Sequence, residues 1–258
     1  SSDVCSSDLL LGYTVQVWQN NAWMNDQKNS YYYDLHNQNI KEVNQSWTGY
    51  TWLNERQFLS TYDANGNLIT FTYQHWDVTY WRNQYRNIYT YDANNNQTGY
   101  LSQSWTGTAW INSSNIISTY DAHDNLTDET HQVWNTGGWW ENLYRVSYIY
   151  DARNNRVSGL LQSWSSYAWE NIFSAEYTYD ANDHMISEWI RDWDGTQWVN
   201  DWLALFSYDS NGNLVDVIES NWNGAWENYS WIHYSYDTRN RSEEHTSELQ
   251  SHSFISYA

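Results

Sequence analysis

From Leu68 to Trp76, and again from Trp81 to Tyr91, Thr, Ile, Phe, Tyr and Trp alternate with polar residues over runs too short for helices of period 3.6. Such runs predict strands. Two kinds of loop bound them. One carries Asp63-Ala64-Asn65-Gly66-Asn67 and its cousins Asp92 to Asn96, Asp121 to Asn125 and Asp209 to Asn213. Asp, Asn and Gly there supply side-chain bonds to the backbone and positive φ, which is hairpin-turn chemistry. The other loop lies between two Trp residues and is elastic: the Trp spacing is usually 5, but 6 from Trp134 to Trp140 and 4 from Trp222 to Trp226. Length variation of this kind belongs to exposed loops.

The pattern recurs along the chain. Tyr-Asp returns at Tyr33, Tyr62, Tyr91, Tyr120, Tyr150, Tyr179, Tyr208 and Tyr236, with steps of 28 to 30 residues. Each Tyr-Asp travels with a first Trp (Trp76 in the third repeat) and a second Trp followed two residues later by Asn (Trp81 and Asn83). A period of this length indicates a repeat architecture in which a single repeat buries too little to fold alone and leans on its neighbours. The predicted fold is all-β: about eight antiparallel hairpins of 29 residues forming a coiled or closed spiral sheet, with Trp, Tyr, Gln and Asn inside.

Straight alternation assigns the faces. Trp81, Asn83, Tyr85, Asn87, Tyr89 and Tyr91 share one face, as do Leu68, Thr72, Gln74 and Trp76, whereas Ile69, Phe71, Tyr73 and His75 fall on a variable, solvated face. With the intervening four residues as the hairpin loop, Trp76 faces Trp81 and Gln74 faces Asn83. Such pairs pin the register, because a one-residue slip would turn both to the wrong side. Gln74 and Asn83, with Trp76, Trp81, Tyr91 and Asp92, are therefore read as structural elements of the repeat.

The chain contains no proline, which suits continuous ladders. Its formal charge of −20 disfavours nucleic acid and anionic membranes as partners. No apolar run suits a membrane helix. Residues 1–9 and 241–258 break the repeat abruptly and resemble translated sequencing adapters, so the repeat array is assigned to residues 10–240 and the chain is read as a piece of a longer protein. Cys5, the single cysteine, lies in the first of these tails.

The run Tyr62-Asp63-Ala64-Asn65-Gly66-Asn67-Leu68, echoed at Tyr91, Tyr120, Tyr179 and Tyr208, resembles the YD repeat of Rhs and teneurin-like proteins. The resemblance covers roughly residues 10 to 240. The longer unit, with Gln-x-Trp, Gly-x-x-Trp and Trp-x-Asn, is similar to Trp-rich repeats of secreted Bacteroidota proteins that carry a type IX sorting domain. YD repeats proper are shorter and poorer in Trp, so the resemblance is to a divergent relative. It implies spiralling antiparallel sheets, sometimes wrapped as hollow shells around toxins, and an extracellular or cell-surface location.

Candidate chemistry is sparse. The Asp-x-Asn-x-Asn turns resemble the start of an EF-hand loop, but the twelfth position holds Gln74, Gln132 or Ser220 in place of a bidentate Glu. His36, His75, His123, His131, His184 and His233 occupy different columns and form no repeated ligand set. No catalytic residue, metal or cofactor is expected. The expectation is a non-catalytic extracellular scaffold, spacer or encapsulating wall of a larger protein. Its alternative is a multivalent carbohydrate-binding array using Tyr50, Tyr80, Trp139 and Tyr167 in the Trp-Trp loops, with Tyr229 and Trp231 on the variable face. The partner is then a glycan, or on the first reading an encapsulated domain of the same protein.

Overall fold

The computed structural model describes residues 9–236. The adapter-like segments, apart from Leu9, lie outside the described residues. Sixteen strands pair in chain order as eight hairpins. They are β1 (Gly12–Gln19) with β2 (Ala22–Tyr33), β3 (Asn39–Trp47) with β4 (Trp52–Tyr62), β5 (Leu68–Asp77) with β6 (Tyr80–Tyr91), and β7 (Gln97–Trp105) with β8 (Trp110–Tyr120). Then follow β9 (Leu126–Trp134) with β10 (Trp140–Tyr150), β11 (Arg156–Ser165) with β12 (Ala168–Tyr179), β13 (Met185–Trp193) with β14 (Trp198–Tyr208), and β15 (Leu214–Trp222) with β16 (Trp226–His233). The strand order runs from β1 to β16 without crossover and without a β16 to β1 pairing, so the sheet is open and the closed form of the expectation is not adopted. By contacts the described residues divide into two compact units, residues 9–148 with 161–170, and residues 149–160 with 171–236. Among the described residues, no helix is long and apolar enough to cross a membrane.

The hairpins have the expected register. Trp76 stands opposite Trp81 and Gln74 opposite Asn83. The same pairing places Gln45 opposite Asn54 and Gln103 opposite Asn112. The two indoles meet edge to face at 5.0 Å in the β5–β6 hairpin, and the geometry recurs at Trp47–Trp52, Trp105–Trp110 and Trp193–Trp198. Offset edge contacts of this kind suit the quadrupole of the rings.

The faces differ from straight alternation, and β-bulges are the cause. In the β5–β6 hairpin Gln74 pairs with Asn83 but Tyr73 pairs with Tyr85, so Gln84 is an extra residue. Asp26, Glu55, Ser113, Leu143, Asp201 and Tyr229 are its counterparts. An extra residue inverts every later side chain relative to the earlier ones. Trp81 and Asn83 therefore share a face with Gln74 and Trp76, whereas Tyr85, Asn87 and Tyr89 lie with Tyr73 and Phe71. A second bulge, at Ile69 between Tyr62↔Leu68 and Thr61↔Thr70, likewise separates Leu68 from Thr72.

The face expected to be solvated consequently carries a packed aromatic cluster. Phe58 stacks on Phe71 at 5.5 Å and on Tyr73 at 5.4 Å, and Tyr73 meets Tyr85 at 5.2 Å. Coverage on both faces comes chiefly from lateral neighbours. Among the described residues the buried hydrophobics are Val43, Ala175, Ala204 and Val217, and the Trp and Tyr expected inside are mostly half-buried.

Candidate functional site

Three structural rows set the frame for any site. The first is an amide relay on the Trp-bearing face. In the first compact unit, Gln57 donates to Gln74, which donates to Asn83 at 2.6 Å. Arg86 Nε donates to Gln103 at 2.6 Å, and Gln103 to Asn112 at 2.7 Å. Asn115 donates to Gln132 at 2.9 Å, and Gln132 to Asn142 at 2.7 Å. Gln74, Gln103 and Gln132 thus each accept from the preceding hairpin and donate within their own, so these amides are used structurally. Arg86 also lies 4.6 Å from the Trp110 ring, adding a cation–π contact between hairpins.

The relay changes character in the second unit. Ser174 and Arg191 occupy facing positions there, and Arg191 is engaged by Glu176 while stacked 4.5 Å from Trp189. Ser174 Oγ, Arg191 Nε and Trp189 Nε1 are buried there without a hydrogen-bond partner among the described residues.

The second row is the Tyr of Tyr-Asp. Tyr62, Tyr91 and Tyr120 donate their hydroxyls to the carbonyls of Asn39, Leu68 and Gln97 at 3.0 Å. Tyr179 and Tyr208 do the same to Arg156 and Met185 at 2.9 Å. The bond closes the end of each hairpin opposite the Trp pair. Burial pushes the Tyr91, Tyr120, Tyr179 and Tyr208 phenols up from the ordinary value, consistent with a protonated donor.

The third row is the turns. Asp63 Oδ1 accepts from the backbone N–H groups of Asn65 and Asn67, both at 2.9 Å, and its Oδ2 accepts from Asn67 Nδ2 at 3.0 Å. Gly66 supplies the positive φ, a role taken by Asn37, Asn95, Asp124, Asn154 and Asp183 elsewhere. Neighbouring turns are laced together in the first unit: Asn67 donates to Asn95 at 2.8 Å and Asn96 to Asp124 at 2.7 Å. In the second unit Asn155 donates to Asp183 at 2.7 Å and Arg153 pairs with Asp183 at 2.9 Å. No group of three or more His, Cys, Asp or Glu able to hold a metal occurs among the described residues.

The turn carboxylates make stability depend on acid. The Asn67 backbone N–H chiefly holds Asp63 below its ordinary value, and Gln38 and Asn155 do so for Asp34 and Asp151. Asn213 and Asn125 side chains lead at Asp209 and Asp121, and the direction is the same at Asp92 and Asp180. A lowered folded-state value means the contribution is complete above the unfolded carboxylate range, about 3.9, and is lost as pH falls through the folded values. Melting temperature should hold from neutral pH to about 5 and fall steeply below about 4. Single Asp63→Asn and Asp121→Asn variants should shift this acid limb without changing its direction, as read by circular dichroism.

The six aromatics singled out for carbohydrate are all exposed. Tyr50 and Tyr167 are 94% and 93% exposed at their hairpin tips. Tyr80 donates its hydroxyl to Asp77 Oδ2 at 3.2 Å. Trp139 folds over Gly137, where an added Cβ would lie 1.8 Å from the indole. Each of these four sits in its own hairpin, whereas Tyr229 and Trp231 share β16. Tyr229 is the bulge residue and accepts from Trp202 Nε1 at 3.1 Å. Trp231 is a correction: the bulge before it turns it opposite Ile218, onto the Trp-bearing face, where its Nε1 donates to Asp216 at 2.8 Å.

Asp216 also gathers His233 Nδ1 at 2.9 Å and Ser207 Oγ at 3.2 Å. The hydroxyl donates to the carboxylate and not to the imidazole, so this is not the nucleophile–base–acid order of a triad. His233 chiefly, with Trp231, holds the Asp216 carboxyl below its ordinary value.

Tyr167 is the most informative of the six. With Ser166 (φ 49°) it forms a two-residue tip at φ 66°, the conformation that Asn20 and Asn21 adopt at the tip of the first hairpin. Asn tolerates positive φ, but Tyr there costs on the order of 1 kcal/mol. Tyr167→Gly should therefore stabilise the protein by about 1 kcal/mol in urea titration.

No protein-family model matches the chain, and no curated protein matches it. Solved structures with similarity include a protein of unknown function from Bacteroides fragilis NCTC 9343, at 17% identity and TM-score 0.37 over 47% of this chain and 91% of that one. TcdB2-TccC3 is similar at 16% identity and TM-score 0.47, covering 89% of this chain and 14% of that one. A DUF3836 family protein from Bacteroides vulgatus ATCC 8482 is similar at 24% identity and TM-score 0.27, over 33% and 90% of the two chains. The chain thus spans about one seventh of the TcdB2-TccC3 chain it matches.

Proposed function

We propose that this chain is a non-catalytic, extracellular repeat segment of a larger secreted or surface protein, serving as scaffold, spacer or encapsulating wall. The observation that carries the reading is the reuse of side chains. The Trp, Gln, Asn, Tyr and Asp that recur are committed to pairing strands or lacing turns. A formal charge of −20 suits a solvated exterior. Antibody labelling of intact cells that express the parent protein tests the location. Labelling before lysis supports the reading, and labelling only after lysis overturns it.

A second reading is favoured by Tyr50 and Tyr167: exposed rings at hairpin tips, one held at positive φ, suit stacking on sugar rings. Replacing Tyr50, Tyr80 and Tyr167 together by Ala should abolish retention on a bound polysaccharide and leave the melting temperature within a few degrees. Unchanged retention would remove these residues from the reading.

A further inference from the structure

The ladder between β6 and β7 begins only at Tyr85↔Ser104. On the loop side of that pair the two strands belong to different hairpins and are not paired, and a cleft of about 210 Å³ lies there, lined by Arg82, Asn83, Gln84, Trp105, Thr106 and Gly107. Backbone groups on both edges of the cleft are outside the ladder. Asn83 spends its carbonyl oxygen on Gln74, which leaves its amide hydrogens as donors. Gln84, as the bulge residue, is outside the strand pairing and offers both a donor and an acceptor. Gly107 has φ 102° and no atom within 4 Å of an added Cβ, so the far wall stays open. Trp105 supplies an indole braced edge to face by Trp110.

The charge of the lining is balanced. Arg82 lies 3.7 Å from Asp77, and that carboxylate also receives the Tyr80 hydroxyl. Arg82 is the single cation in its column, which elsewhere holds Met24, Leu53, Ile111, Glu141, Glu170, Val199 and Glu227. In the bulge column Gln84 stands where other hairpins place Asp26, Glu55 or Asp201. Arg82 stands opposite His75, so its guanidinium lies on the other face from Asn83 and Trp105, and the cleft combines amide donors with an aromatic ring and no unmatched charge. Its volume is below the roughly 300–1,000 Å³ of pockets for drug-sized ligands.

From this geometry we infer that the β6–β7 cleft binds one ring of a neutral polysaccharide, with Asn83 and Gln84 addressing hydroxyls and Trp105 packing against the ring. The inference rests on the carbohydrate-binding reading. Its test is affinity electrophoresis of the full chain in gels containing hydroxyethyl cellulose, galactomannan or glycogen, with polygalacturonate as the anionic comparison. Retardation by a neutral polymer should weaken at least tenfold in a Gln84→Ala variant whose melting temperature matches the parent. Retention that survives this variant but is lost in the Tyr50, Tyr80 and Tyr167 variant overturns the cleft and leaves the broader reading standing. Retardation by polygalacturonate alone overturns the neutral-ligand assignment, and retardation by none of the polymers overturns both readings.

Discussion

Inserting one alanine between Asn115 and Ile116 should unfold the β7–β8 hairpin. The strand already carries one extra residue, Ser113, between Ser102↔Ser114 and Gln103↔Asn112. With a second one, Trp110 and Asn112 can face Trp105 and Gln103 only if Ile116, Ser118 and Tyr120 turn to the wrong face. Either choice sacrifices a set of contacts. If the indole pair moves, its 5.0 Å contact and the Gln103–Asn112 bond are lost. If the distal half moves, the Tyr120 bond to Gln97 and the ladder to β9 are lost. The cost should exceed the roughly 4–5 kcal/mol that marks exceptional single changes. Deleting Gly107 from the neighbouring loop is the control and should cost less than about 1 kcal/mol, because hairpins of this chain already close with loops of different lengths. Urea titrations of the two variants make the comparison. Equal effects would mean that the faces of β8 do not depend on its register.

The second large effect is expected at an indole pair. Trp47→Ala should destabilise the protein by about 3 kcal/mol, the lower end of the range for Trp truncation, because the ring is only half-buried. Trp47 and Trp52 lie 5.0 Å apart at 61°. A double-mutant cycle with Trp52→Ala should return a coupling near 1 kcal/mol, the size of an edge-to-face aromatic pair. Coupling below about 0.3 kcal/mol would reassign these residues from register pins to independent surface cover.

Much of the fold is legible in the sequence because the repeat compares eight versions of one hairpin. Constant spacing marks strands and turns, variable spacing marks the Trp-Trp loop, and the pairs Trp76–Trp81 and Gln74–Asn83 follow from counting across that loop. The bulge is not legible. Its column reads Asp26, Glu55, Gln84, Ser113, Leu143, Asp201 and Tyr229, with no shared size, charge or glycine to betray an extra residue. Straight alternation across it misplaced Tyr85, Tyr89 and Trp231. The one available signal is chemical: Phe58, Phe71, Tyr73 and Tyr85 form a ring cluster only if the faces invert between Asn83 and Tyr85.

The same logic separates the legible and hidden parts of the candidate site. Tyr50 and Tyr167 lie in loops whose exposure follows from their variable length. The β6–β7 cleft depends on where the inter-hairpin ladder starts, and that start is set by the bulge. Arg82 and Gln84 look in sequence like ordinary solvated residues. Only the register reveals that they border an unpaired stretch beside Trp105.

The central claim is that each hairpin is an interchangeable part of a scaffold, and excision of one repeat tests it most directly. Removing residues 92–120 joins Tyr91 to Asp121 and brings β6 beside β9, where Arg86 would meet Gln132 in place of Gln103. Nearest-neighbour energetics predict a shortened protein with a cooperative melt within a few degrees of the parent and the same β-sheet circular dichroism per residue. An unfolded or aggregated product would contradict the account, because it would mean that the removed hairpin holds contacts its neighbours cannot replace.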